Sequence, residues 1–66
     1  MKIEFYVREI RKKRRMTIEE LSAISGVSRS AIILIENGKA DPKLSTVISL
    51  AKALRVEVGE LYDHNI

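Results

Sequence analysis

Cysteine and tryptophan are absent from this 66-residue chain, proline and histidine occur once each, and glycine three times. Without cysteine there is neither a disulfide nor a thiolate site. A single histidine, His64, cannot assemble a zinc centre, so no metal and no cofactor is expected. No apolar run approaches the ~20 residues of a membrane helix. In MKIEFYVREIRKKRR the charges follow the apolar stretch, the reverse of a secretory signal, which makes a cytoplasmic location the expectation. The chain also lacks a nucleophile with a plausible base and a phosphate-binding glycine loop, so an enzyme is not expected. Stability must come from a hydrophobic core that, at this length, buries roughly 60% of the surface the unfolded chain exposes. A second subunit is the other available source.

What is present is charge in one place and helical periodicity. Twelve Lys and Arg against nine Asp and Glu give a net charge of +3. The excess is concentrated in RKKRR, residues 11–15, where cations also suit the end of a helix and attract a polyanion. Residues 1–66 contain no repeat and no linker and read as one domain. Ile3, Val7 and Ile10 fall at helical spacing and predict a first helix over about residues 3–14, although KIEFYV also alternates like a strand. TIEE is a capping box: the Thr17 hydroxyl accepts from the Glu20 amide while the Glu20 carboxylate reaches back to the Thr17 amide. The second helix starts there and stops at Gly26, which takes a left-handed conformation without a Cβ penalty. Glu19 and Glu20 are accounted for by capping and by the helix dipole. Ser28 caps a third helix with Ile32 and Ile35 on its apolar stripe, ended by Asn37-Gly38, both suited to positive φ. Leu44, Val47, Ile48, Ala51 and Leu54 define a fourth, core helix, and EVGELYDH adds a last turn or two. The fold class is therefore all-α, five short helices joined by tight turns.

Two helices separated by Gly26-Val27-Ser28 form a helix-turn-helix spacing. The run TIEELSAISGVSRSAIILIENGKADP resembles the Cro/C1-type (XRE-like) helix-turn-helix family of phage repressors and bacterial regulators, with its T-Q-E-E-L-A, G-V-S and I-x-x-I-E-x-G-x-x-x-P pattern. VREIR and LAKALRVEVGELY are similar to the family's first and last helices, so the resemblance covers about Val7 to Tyr62. It implies a lambda-repressor-like domain that binds double-stranded DNA as a homodimeric transcriptional regulator, probing the major groove with the third helix.

The resemblance places Arg29, Ser30 and Leu34 at base-contacting positions, Arg29 with the option of holding a phosphate instead. Thr17, Lys39 and Lys43 fall at phosphate-contacting positions, together with the amides that open the second and fourth helices. It implies a buried ion pair between Arg11 and Glu36, and a dimer interface that draws on Val58, Leu61, Tyr62 and Ile66, with packing into the chain's own core the other option for Val58 and Leu61. The chain departs from the family pattern in places. Apolar Ile18, Ala31, Ile33 and Leu34 replace residues that are commonly polar, which fits either contact of Leu34 or Ala31 with thymine methyl groups or a protein-binding patch of Ile18, Ile33 and Leu34, and Ile33 has the further option of packing into the core. Arg55 stands where a glycine often ends the fourth helix, and His64 reads as a tail residue. The alternative function is a protein-interaction module or antitoxin built on the same fold.

Overall fold

In the computed structural model, which describes residues 2–65, four helices carry the chain and its two ends pair as strands. The order is β1 (Lys2–Phe5), α1 (Val7–Lys13), α2 (Ile18–Ser25), α3 (Arg29–Glu36), α4 (Leu44–Leu54), a single 3-10 turn (Val58–Glu60) and β2 (Tyr62–Asn65). The fifth helix is thus only that turn, and the beginning of the expected first helix is a strand. β1 pairs antiparallel with β2 in the register Lys2↔Asn65 through Phe5↔Tyr62. The Tyr6 amide extends the pairing by donating to the Leu61 carbonyl at 2.8 Å. The alternation of KIEF prevails over the helical spacing of Ile3 because the far end of the chain supplies a strand partner, which local periodicity cannot register. His64 accordingly belongs to β2 and is not a tail residue.

The core consists of Val7, Leu21, Ile32, Ile35, Val47, Leu50, Ala51, Ala53, Leu54 and Leu61. α4 contributes five of these, and α2 packs against both α3 and α4. Steps of about 100° along α4 turn Leu50 and Ala53 inward, while Leu44 and Ile48 emerge at the surface, contrary to the core stripe expected from spacing. Leu44, at 67% exposure, is the most open large apolar side chain among the described residues.

All four helices end at a residue with a left-handed backbone. Gly26 (φ 77°) closes α2 with a bond from its amide to the Ser22 carbonyl. Gly38 (φ 69°) closes α3 by the paired bonds Gly38 to Ile35 and Lys39 to Leu34, whereas Asn37 keeps φ at −91°. The same paired arrangement ends α1 around Arg15 (φ 55°) and α4 around Arg55 (φ 59°). In these two places a residue with a Cβ occupies a conformation that glycine adopts without cost.

Arg11 and Glu36 meet between α1 and the end of α3. The Arg11 Nε donates to Glu36 Oε2 at 2.7 Å and Nη2 to Oε1 at 3.0 Å, while Nη1 donates to the Met16 carbonyl at 2.9 Å. Arg8 adds a longer Nε bond to Glu36 Oε1, 3.4 Å, and donates from Nη2 to Asn37 Oδ1 at 2.6 Å. The Glu36 side chain is 2% exposed. Its hydrogen bond to Arg11 holds the guanidinium even more firmly protonated than usual, against the opposing effect of burial.

Replacing Glu36 with Gln leaves Arg11 as a buried charge without a counter-charge, at a cost of about 3–5 kcal/mol. A chain of 66 residues has a total stability of roughly 3–10 kcal/mol. Urea denaturation is therefore expected to show Glu36→Gln losing most of its stability, while the double variant Arg11→Met, Glu36→Leu stays within about 2 kcal/mol of the parent because an apolar pair leaves no charge uncompensated.

Candidate nucleic-acid interface

The helix-turn-helix unit is built by local chemistry at each junction. Thr17 Oγ1 accepts from the Glu20 amide at 3.0 Å and Glu20 Oε1 accepts from the Thr17 amide at 2.8 Å, completing the capping box that starts α2. Gly26 reverses the chain, and the Val27 amide donates to Ser25 Oγ at 3.1 Å within the turn. Ser28 Oγ then accepts from the Ala31 amide at 3.2 Å and opens α3. Accepting from the Thr17 amide and hydroxyl group keeps the Glu20 carboxyl below its usual pKa.

α3 has two chemically distinct sides. Ile32 and Ile35 are buried and anchor it, with Ala31 at the margin. Arg29, Ser30, Ile33 and Leu34 face away from the core, Ile33 at 38% and Leu34 at 46% exposure. The i and i+4 pairs Arg29/Ile33 and Ser30/Leu34 give one continuous outward strip of mixed character. Ile33 therefore does not turn into the core. Ile18 does: it is half-buried and packed against the core cluster, so it leaves the outward apolar set expected from sequence.

The other expected site residues are placed as follows. Lys39 and Lys43 are exposed on the segment that joins α3 to α4, and Lys43 stands at the start of α4, which has no side-chain cap. The Thr17 amide donates to Glu20, and its hydroxyl, which also bonds the Glu20 carboxylate, is the group that would have to change partner to reach a phosphate. Leu61 is fully buried in the chain's own core and is removed from the expected subunit interface, and Val58 is half-buried against that core. Tyr62 is half-buried, its ring 6.4 Å from that of Phe5, and Ile66 lies outside the described residues. Tyr62 lines an apolar groove of about 240 Å³ with Ile3, Phe5, Pro42 and Leu44.

Sequence reasoning missed one contact on the outward strip. Arg29 Nη2 lies 2.9 Å from Glu19 Oε2, joining the first turns of α2 and α3. Glu19 offers no spacing signal for this, because the two residues are ten apart and meet only through the angle between the helices. Glu20, not Glu19, closes the capping box, which leaves the Glu19 carboxylate available to Arg29.

Comparison with known proteins matches residues 7–61 to the helix-turn-helix family model. The uncharacterized HTH-type transcriptional regulator RghRB of Bacillus subtilis is 43% identical over 56 residues, covering 83% of this chain and 40% of that protein. The HTH-type transcriptional repressor RghR of the same organism is 43% identical over 51 residues, covering 76% and 38%. The chain thus spans about two fifths of the length of these two relatives. An uncharacterized HTH-type regulator of Methanocaldococcus jannaschii, MJ0272, is 36% identical over 61 residues, covering 92% of this chain and 86% of its own. Among solved structures, the restriction-modification controller protein C.AhdI of Aeromonas hydrophila superposes with a TM-score of 0.79 at 33% identity, covering 82% of each chain. Among the described residues, no helix is long and apolar enough to cross a membrane.

The depressed Glu20 pKa fixes the sign of one pH effect. Its contribution to stability is complete above the pKa of an ordinary glutamate and is lost as pH falls through the lower, folded-state value. Thermal melts below about pH 4 are expected to show Glu20→Gln losing less of its neutral-pH stability than the parent chain.

Proposed function

The chain belongs to the Cro/C1-type helix-turn-helix family, and from that premise we propose that it is a sequence-specific, double-stranded DNA-binding transcriptional repressor acting as a homodimer on a pseudo-palindromic operator. The observation that carries this reading is the outward strip of α3, which holds Arg29, Ser30 and Leu34 clear of the core on a helix whose opposite side is anchored by Ile32 and Ile35. A major groove about 12 Å wide accepts one helix in that orientation. Arg29 presents N–H donors suited to the O6 and N7 acceptors of guanine, Ser30 bonds to several bases, and Leu34 suits the thymine methyl group. Lys39, Lys43 and the hydroxyl of Thr17 contact phosphates, which fixes register without reading sequence.

A second copy covers the apolar groove formed by Ile3, Phe5, Leu44 and Tyr62 in this proposal. Open apolar side chains grouped with a concave apolar surface are the usual mark of a protein contact. A two-fold pair places recognition helices on half-sites one helical turn, about 34 Å, apart. Occupancy of the operator then excludes polymerase. A second reading, a module that grips another protein through the same strip, is favoured by the 38% and 46% exposure of Ile33 and Leu34.

Selection from random duplex DNA separates the two readings. An inverted repeat containing guanine and thymine is expected, and a protein that enriches no sequence and ignores duplex DNA in dilute salt overturns DNA recognition. Lys39→Ala and Lys43→Ala are each expected to weaken binding across sequences and to reduce the log–log salt slope by about 0.9. In sedimentation, Tyr62→Asp is expected to shift the chain toward monomer, and a dimer of parental strength excludes the groove as the interface.

A further inference from the structure

From the contact between Arg29 and Glu19, we propose that Glu19 is a specificity-determining positioning residue: it holds the Arg29 guanidinium for base readout and penalises attachment to DNA by charge alone. The inference rests on the reading that α3 enters the major groove.

The contact has no adequate explanation in folding. Arg29 and Glu19 side chains are 60% and 62% exposed. An ion pair in that setting contributes little to stability, because water screens the attraction and two long side chains lose rotamer freedom. Both ends of the helix-turn-helix unit are already fixed, α2 by the Thr17–Glu20 capping box and α3 by the Ser28 cap. Glu19 takes part in neither.

The geometry suits recognition. A guanidinium is a rigid plane with five N–H donors, and Glu19 engages it through Nη2, leaving further donors for a base edge. An arginine anchored before binding loses less conformational freedom on docking than one that must be immobilised by the DNA. The Glu19 carboxylate stands in the first turn of α2, 2.9 Å from the arginine that opens α3, where docking brings phosphates close. Its negative charge opposes any complex in which Arg29 merely follows the backbone. The complex in which Arg29 reaches a guanine recovers that loss through base hydrogen bonds. One residue therefore supports the correct complex and disfavours the incorrect ones, which is how specificity arises as a difference of affinities.

The test uses the full chain as parent, Glu19→Ala, Glu19→Gln, Arg29→Ala and the double variant Glu19→Ala, Arg29→Ala. Each is carried through selection on random duplex DNA and through binding to one selected and one scrambled duplex, with thermal melts to establish that all five fold alike. Arg29→Ala identifies the operator position that Arg29 reads. At that position Glu19→Ala is expected to reduce base preference by about tenfold, while raising affinity for the scrambled duplex by about fivefold. Glu19→Gln retains an acceptor for Arg29 and is expected to keep the base preference while gaining the same non-specific affinity. In the Arg29→Ala background, removing Glu19 is expected to leave base preference unchanged, as required of a residue that acts through another. Equal effects of Glu19→Ala on base preference in both backgrounds, or none in either, overturn the positioning role. A parent chain that selects no sequence overturns the DNA-binding reading itself, and the two failures are distinguished by the parent's behaviour alone.

Discussion

The arrangement depends on the buried pairing of Arg11 with Glu36. One guanidinium bonds the last residue of α3 through two of its nitrogens and the turn before α2 through the third. It thereby ties α1, the start of the helix-turn-helix unit and the end of α3 to a single point. Hydrophobic contacts among Val7, Leu21, Ile32 and Leu54 drive collapse but tolerate small rotations. A charge pair with Glu36 2% exposed does not tolerate them, because a misplaced partner remains desolvated and unbonded. The rotation of α3 about its axis follows from this constraint, and with it the choice of side chains that face outward.

α3 shows how little sequence is needed to combine an anchored side with an open one. Eight residues supply two buried isoleucines and an outward strip that starts with a cation and ends with a leucine. On the proposed DNA reading Ile33 and Leu34 add apolar contact area to the hydrogen bonds of a polar strip, and the same open groups are why a helix of this composition also suits a protein partner.

Much of this was legible in the sequence, and the division between what was and was not is physical. The capping box at Thr17 and Glu20, the left-handed Gly26 and the Ser28 cap involve groups two to four residues apart, so residue type alone specifies them. The strands were not legible because β1 acquires its partner from the opposite end of the chain, and KIEF carries helical and alternating patterns at once. Leu44 and Ile48 were assigned to the core because spacing gives a stripe without saying where its centre lies, and the neighbours of α4 set that centre nearer Leu50 and Leu54. Leu61 read equally as core or as interface, and a domain this small takes it for its own interior. Arg29 was visible as a surface cation, whereas its alliance with Glu19 depends on how two helices cross.

The two arginines that terminate α1 and α4 have a longer-term implication. Each occupies a left-handed conformation that costs an L-residue roughly 1–2 kcal/mol, a burden that glycine at the same position would not carry. Each arginine thus leaves an unused margin of stability at the end of a helix other than α3. Substitutions in α3, which tend to weaken a small domain, have a source of compensation at these two helix ends.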